Sequence, residues 1–411
     1  TLCCRILKTI LQRDILILYC CFCICILKCK KNSVLKKQSY MSKKILFVDN
    51  STRCFCIFRL SVAKAFVTQG YEAYVMSPAP YEEYVERIQE VGITHIPYEM
   101  GVKFSALGDL KLLFLYWNVY KQLRPDYVVH YTIKPNIYGS LAAKVNKIPS
   151  LAVVPGTGSV FQNSGIISRI VWLLYKCAFK YPQKVWVLNE DDYRAFLLKK
   201  IVSKERLVIL PGEGVDINIF SYKEYRRNNP FIFLYMGRML REKGVELIAK
   251  AVKLLHQKGI SNFEVRLLGL VDGLSKDVIS EEEIRKWEKE GLVHFLGSVS
   301  DVRPNIEEAD CILLPTFYGE GVPRSLMEAC AMGRMVLATD NVGCRDVIQD
   351  GYNGVLCKPK DIEHLAFKME MILNMPEWKI KDMGLNGRKK MIAEFAESKI
   401  VKRYLEEISE V

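Results

Sequence analysis

Residues 309–333 read ADCILLPTFYGEGVPRSLMEACAMG. An apolar strand at 311–314 passes through a glycine-bearing loop into a helix that Pro323 can open and Gly333 can close. A helix N-terminus offers unpaired N–H groups and the positive end of a dipole, which suit a diphosphate. Two carboxylates flank that turn. Glu328, one to two turns into the helix, can accept from a ribose, and Glu320, on the loop, can reach a second polyol. The stretch reads as a cradle for a nucleotide sugar, its substrate-binding residues being Gly321, Val322, Arg324, Ser325 and Glu328. The plainer alternative makes Glu320 a solvated loop residue and Glu328 an ordinary exposed helix residue.

A second stretch weighs against that alternative. Residues 231–252, FIFLYMGRMLREKGVELIAKAV, carry a strand into Gly237-Arg238, and Lys243-Gly244 begin the next helical pattern. Two cations at a strand-to-helix crossing suit phosphate oxygens. Outward from these motifs, short β-branched runs alternate with helical stretches along the chain, the pattern of parallel strands covered by helices on both faces. Strands are predicted at 45–48, 73–76, 127–130, 151–154, 185–188 and 207–210, then at 231–235, 265–268, 293–296, 312–314, 336–338 and 354–356. A polar stretch at 221–230 separates the two sets. The expected fold is α/β: two Rossmann-like, doubly wound domains facing a cleft, at 41–220 and 221–390, with a helix at 391–411 crossing back to the first. Ligands in such sheets sit beyond the carboxyl ends of the strands. The donor is therefore expected against the second domain, with the acceptor presented by the first.

With Arg238, Lys243, Glu320 and Glu328 in this order, the chain from Met41 onward resembles the retaining glycosyltransferases of family 4, which have the GT-B fold. The resemblance implies that Arg238 and Lys243 hold the donor diphosphate, that Glu328 binds the ribose and that Glu320 touches the transferred sugar. YTIKPNIYGSLAA and GEGVPRSLMEA are most similar to bacterial enzymes that build surface polysaccharide or lipid-linked oligosaccharide.

The first-domain loop DNSTRCFCIFR lacks the glycine pair that many relatives place there. Asn50 and Arg59 are its polar contacts for a substrate, or else a turn residue and a surface helix residue. In VVHYTIKPNIYGS, His130, Tyr131 and Lys134 stand where many relatives carry a histidine that contacts the donor sugar; a strand histidine such as His130 is more commonly a packed core residue. Strand side chains alternate, so His130 and Tyr131 cannot both face one side of a regular strand. PGTGSVF, at 155–161, is a loop that lets backbone approach a ligand. Asn189, with Asp192 three residues on, reads as a helix cap.

The chain has 411 residues and a net charge of +13. Residues 1–40 hold seven of its cysteines and eight Lys or Arg against one Asp. They are read as a non-native extension before a natural start at Met41, or as a short anchor-like segment; their apolar run falls short of the ~20 residues that span a bilayer. The remainder is only mildly basic and carries no known nucleic-acid module, so no nucleic-acid partner is expected. Its scattered cysteines suggest neither a zinc site nor a disulfide framework, and a reducing cytoplasm fits. No Asp-x-Asp pair occurs; neither a metal nor a cofactor is expected, because Arg238, Lys243 and a helix dipole can neutralise the leaving diphosphate. Two basic and aromatic stretches, 107–123 and 166–184, suit a membrane interface or else pack as core helices with snorkelling lysines.

The sequence thus predicts a metal-independent transferase that moves a hexose or N-acetylhexosamine from a nucleotide diphosphate, UDP by preference, to a lipid-linked or polysaccharide hydroxyl on the inner face of the cytoplasmic membrane; that it retains configuration is implied only by the resemblance. Two rivals stand beside it: an epimerase or hydrolase of the same fold, and a non-catalytic sugar-nucleotide-binding partner of a membrane synthesis complex.

Overall fold

The computed structural model describes residues 42–79, 82–99, 101, 105–156, 166–271, 277–319 and 321–409. The extension 1–40, residues 157–161 of PGTGSVF and Glu320 lie outside the described residues.

Two sheets form. The first runs β3-β2-β1-β4-β5-β6-β7, from β1 (Lys44–Val48), β2 (Glu72–Ser77), β3 (Thr94–Pro97), β4 (Tyr127–Tyr131), β5 (Ser150–Val154), β6 (Lys184–Val187) and β7 (Leu207–Ile209). The second runs β10-β9-β8-β11-β12-β13, from β8 (Phe231–Met236), β9 (Phe263–Leu268), β10 (His294–Gly297), β11 (Cys311–Leu314), β12 (Met335–Thr339) and β13 (Val355–Cys357). The described pairings are parallel, as in β1 on β4 and β8 on β11. The central strands explain why. Every residue of β4, β5, β8 and β11 is buried; strands covered by helices on both faces are apolar throughout rather than alternating.

β3 is the strand the sequence pattern did not predict. Its four residues, THIP, include one aliphatic side chain and a proline. Proline is tolerated because β3 is an edge strand, where one row of N–H groups has no ladder partner to lose.

By contact the chain divides into two compact units. One holds the described residues up to Cys56 with Ala63–Ala152 and Ala178–Gln183; the other holds Ile57–Val62, Val153–Cys177 and Lys184–Val411. Within the second unit the helix Glu397–Ser409 is pinned at two places. Val215 and residues 395–397 exchange backbone hydrogen bonds of 2.9 Å, and Tyr404 meets the buried Trp186 of β6 edge-on, ring centroids 4.8 Å apart.

Candidate functional site

In each sheet the strand order reverses once, between β1 and β4 in the first and between β8 and β11 in the second. Connections leave these neighbours in opposite directions, which opens a crevice beyond their carboxyl ends. β8 leads into Gly237-Arg238 and β11 into the loop before Pro323, so the basic and acidic motifs meet at the switch point of the second sheet. Leu313 is in register with Tyr235 there.

The basic side is a tight turn. Arg238 is exposed, and its carbonyl accepts from the Tyr235 hydroxyl at 2.8 Å. A single 3₁₀ turn, Arg241–Lys243, follows and ends at Gly244, whose φ of +80° is left-handed. A side chain there would collide with the Pro315 carbonyl, 2.2 Å from an added Cβ. Glycine is therefore needed for both backbone conformation and close approach. Lys243 lies over the Tyr318 ring, its Nζ 5.4 Å from the centroid. Burial raises the Glu242 carboxyl, Asp277 adds to the rise, and Lys360, Arg238 and Lys243 draw it down. That acid sits in a cationic neighbourhood.

The two motifs are tied through backbone. The Glu242 carbonyl accepts from the N–H groups of Phe317 and Tyr318 at 2.9 and 3.1 Å. Asn341, not anticipated from sequence, donates from its side chain to the Tyr318 carbonyl at 2.8 Å. Its only signal was its place just past the end of β12. Beyond this loop, Gly321 packs so closely on the Pro155 carbonyl that an added Cβ would lie 1.8 Å from the oxygen.

The helix Arg324–Ala331 then opens with Pro323 as its N-cap, which offers no side-chain acceptor to the first N–H groups. Those of Arg324 and Ser325 thus stay available to an anion. Gly321, Val322, Arg324 and Ser325 line this entrance half-buried, as does Gly237 across the turn. Glu328 is mostly buried on the same helix and bonds Arg324, with Nε to Oε1 at 2.7 Å. Burial raises its carboxyl, and Arg324 opposes the rise. Among the described residues no group of three or more His, Cys, Asp or Glu is placed to hold a metal ion.

The first sheet corrects two expectations. His130 does not reach a ligand surface; it is fully buried, with Nε2 3.0 Å from the Tyr120 hydroxyl and the two rings stacked. Burial alone lowers its pKa to about 3, so it is a neutral core residue. Tyr131 is also fully buried, edge-on to Phe55 at 6.5 Å. The alternation of side chains was right, but both faces of β4 are covered, so neither residue is presented. Lys134 is nearly buried and engaged: its ammonium lies 3.0 Å from Asp109 and donates to the Gly101 carbonyl at 2.9 Å. A cavity of about 570 Å³ lies beside it, lined also by Ser105, Lys111, Leu112 and Leu115. Arg59 pairs with Glu213 in the second unit and is buried. Asn50 stays half-buried in the turn after β1. Sequence reasoning missed Thr132, just past β4, a β-branched residue held at a φ of +66°, where side-chain crowding normally forbids it.

Comparison with known proteins gives the family and the fold. A family model described as glycosyl transferase 4-like matches residues 44–189, and one described as glycosyl transferases group 1 matches residues 217–390. The chain belongs to the GT-B glycosyltransferases. It is 27% identical over 380 residues to the Campylobacter jejuni N,N'-diacetylbacillosaminyl-diphospho-undecaprenol α-1,3-N-acetylgalactosaminyltransferase, covering 88% of this chain and 97% of that one. Over 73% of this chain and 78% of the relative it is 23% identical to an Escherichia coli UDP-Gal:α-D-GlcNAc-diphosphoundecaprenol α-1,3-galactosyltransferase. Among solved structures, Anabaena Alr3699/HepE in complex with UDP and glucose superposes with a TM-score of 0.74 at 19% identity, over 90% of this chain and all of that one. This likeness shows the fold. The glycosyltransferase is thus an enzyme, and the non-catalytic rival reading falls away.

Proposed function

We propose that this glycosyltransferase moves a hexose or N-acetylhexosamine from a UDP-sugar to a hydroxyl of a lipid-linked or polysaccharide acceptor, with retention and without a metal, at the inner face of the cytoplasmic membrane. The observation that carries the reading is the meeting of Arg238, Lys243 and an uncapped helix N-terminus at one sheet switch point. As the bond from the sugar's anomeric carbon to the diphosphate breaks, negative charge grows on the departing phosphate. Preorganised cations and N–H groups aimed there favour the transition state over the bound donor. The acceptor oxygen bonds the anomeric carbon and its proton passes to the departing phosphate oxygen, which gains the charge of the broken bond. Glu328 holds the ribose, and Glu320 takes the transferred sugar. The domain division at 41–220 and 221–390, with the 391–411 helix crossing back, belongs to the same proposal.

The relatives support the acceptor class through their polyprenyl diphosphate substrates, and the Anabaena complex supports UDP. Two helices support the membrane. Ala106–Leu123 exposes Leu107 and Phe114 beside Lys111 and Lys121, while its one acid, Asp109, is buried against Lys134. Ile166–Ala178 exposes Leu173 beside Arg169 and Lys176. Each also buries tyrosines, Tyr116 and Tyr120 in the first and Tyr175 in the second, so each packs one face and exposes an apolar, basic other. No helix among the described residues is long and apolar enough to cross a membrane.

A panel of UDP-sugars offered with a polyprenyl diphosphate-linked acceptor tests the reading, by following nucleotide release and acceptor mass. One donor should give a product heavier by one sugar, at a rate unchanged by EDTA. UDP release or donor rearrangement without a glycosylated product would favour the hydrolase or epimerase rival. Activity lost in EDTA and restored by magnesium or manganese would overturn the metal-independent mechanism.

A further inference from the structure

Arg324 and Glu328 stand one helical turn apart, and their side chains meet at 2.7 Å with only 17% and 13% of their surfaces exposed. The rest of the guanidinium is engaged too. Nη1 donates to the Ile57 carbonyl, and the group lies over the Phe58 ring, 5.4 Å from its centroid. One planar fork thus makes a carboxylate contact, a carbonyl contact and a ring contact, a combination that a lysine cannot reproduce. The Arg324 contact is to Oε1, which leaves Oε2 to accept from a ligand.

We propose that the Arg324 side chain is a positioning group, which aims Glu328 at the ribose hydroxyls and keeps it ionised, while only the backbone N–H of Arg324 faces the donor. The proposal rests on the ribose role given to Glu328 above. Burial pushes the Glu328 carboxyl up and Arg324 is what draws it down. Among the described residues Glu397 also faces Arg324; its carboxyl is raised by burial and by Asp216, while Ser61 and Arg324 draw it down. Among the described residues, Arg324 is the group that offsets the burial of Glu328. A carboxyl deprived of its cation titrates at higher pH, so nucleotide affinity should then depend on pH.

Calorimetric titration of the full chain with UDP, and with GDP beside it, from pH 6 to pH 8.5 tests this, each affinity taken relative to wild type at the same pH. Glu328→Gln should bind at least tenfold more weakly at every pH. Arg324→Met should bind about tenfold more weakly at pH 6 and recover most of the loss by pH 8.5. The double variant should show the pH-independent loss of Glu328→Gln. Arg324→Lys, which keeps a cation but not the fork, should show a smaller loss with the same pH trend; it decides the matter if Arg324→Met does not fold. An Arg324→Met loss that is equal at all pH values, or absent, overturns the positioning role while leaving Glu328 in place. Unchanged binding in Glu328→Gln, or no binding of either nucleotide by wild type, overturns instead the ribose reading on which the proposal rests.

Discussion

At the scale of single residues, His130 is a pH-sensitive weak point in the first sheet. It is fully buried and held neutral, with its pKa lowered to about 3. Between that value and the ordinary histidine range the unfolded chain binds a proton that the folded chain refuses, so stability falls as pH falls through this window. The loss from this one residue should reach about 2 kcal/mol at pH 5. Urea denaturation at pH 7 and pH 5 checks it: His130→Gln, which cannot titrate, should lose about 2 kcal/mol less than wild type over the interval. An identical loss in both proteins would mean that His130 is protonated as easily folded as unfolded. From sequence alone a histidine at a strand end reads more readily as packed filler than as ligand, without excluding either. What decides is the packing of Tyr120, from the helix that precedes β4 in the chain, against it, and the pattern of the strand alone does not encode that contact.

At the scale of elements, the tight turn from Gly237 to Gly244 should carry turnover rather than stability. Arg238 is exposed and Lys243 half-buried, so truncating either removes little packing, while each loses a cation that the breaking bond needs. Arg238→Ala and Lys243→Ala should each lower turnover at saturating donor by roughly 100-fold, as removal of a single charge-stabilising donor commonly does, with thermal midpoints close to wild type. Wild-type turnover in either variant would end the phosphate role. Much of this architecture was legible in the chain. The predicted strand positions fall on β1, β2 and β4 to β13, because doubly covered strands are written as apolar runs, and Pro323 and Gly333 bracket the helix as expected; the N–H groups of Gly333 and Arg334 close it on the carbonyls of Cys330 and Ala329. β3 was not legible, since an edge strand has little apolar surface to declare it. Nor was the placement of β8 beside β11, two strands separated in the chain by β9 and β10. That neighbourhood arises only once the sheet order is fixed, and it turns two weak motifs into one site.

At the scale of the whole molecule, the question is what its basic charge is for. Much of it lies in 1–40, outside the described residues, and the rest is spread thinly except on faces such as that of Ile166–Ala178 and the turn after it. If that face meets anionic lipid, each cation contributes about 1 kcal/mol near the surface. Arg169, Lys176 and Lys180 changed together to Glu should then weaken sedimentation with phosphatidylglycerol vesicles by 100-fold or more. Full vesicle binding by that variant would move the contact elsewhere, with the exposed Leu107 and Phe114 face next to be altered. The clasp between Trp186 and Tyr404 bears on something else, the order in which the chain can mature during synthesis. β6 emerges early, yet the aromatic ring that covers its tryptophan belongs to a helix translated only after the entire second sheet. Until then Trp186 is an uncovered apolar surface on a growing chain, a point at which nascent chains stick to one another or recruit a chaperone. Such a long-range closure makes the first sheet slow to finish, however early its strands are made.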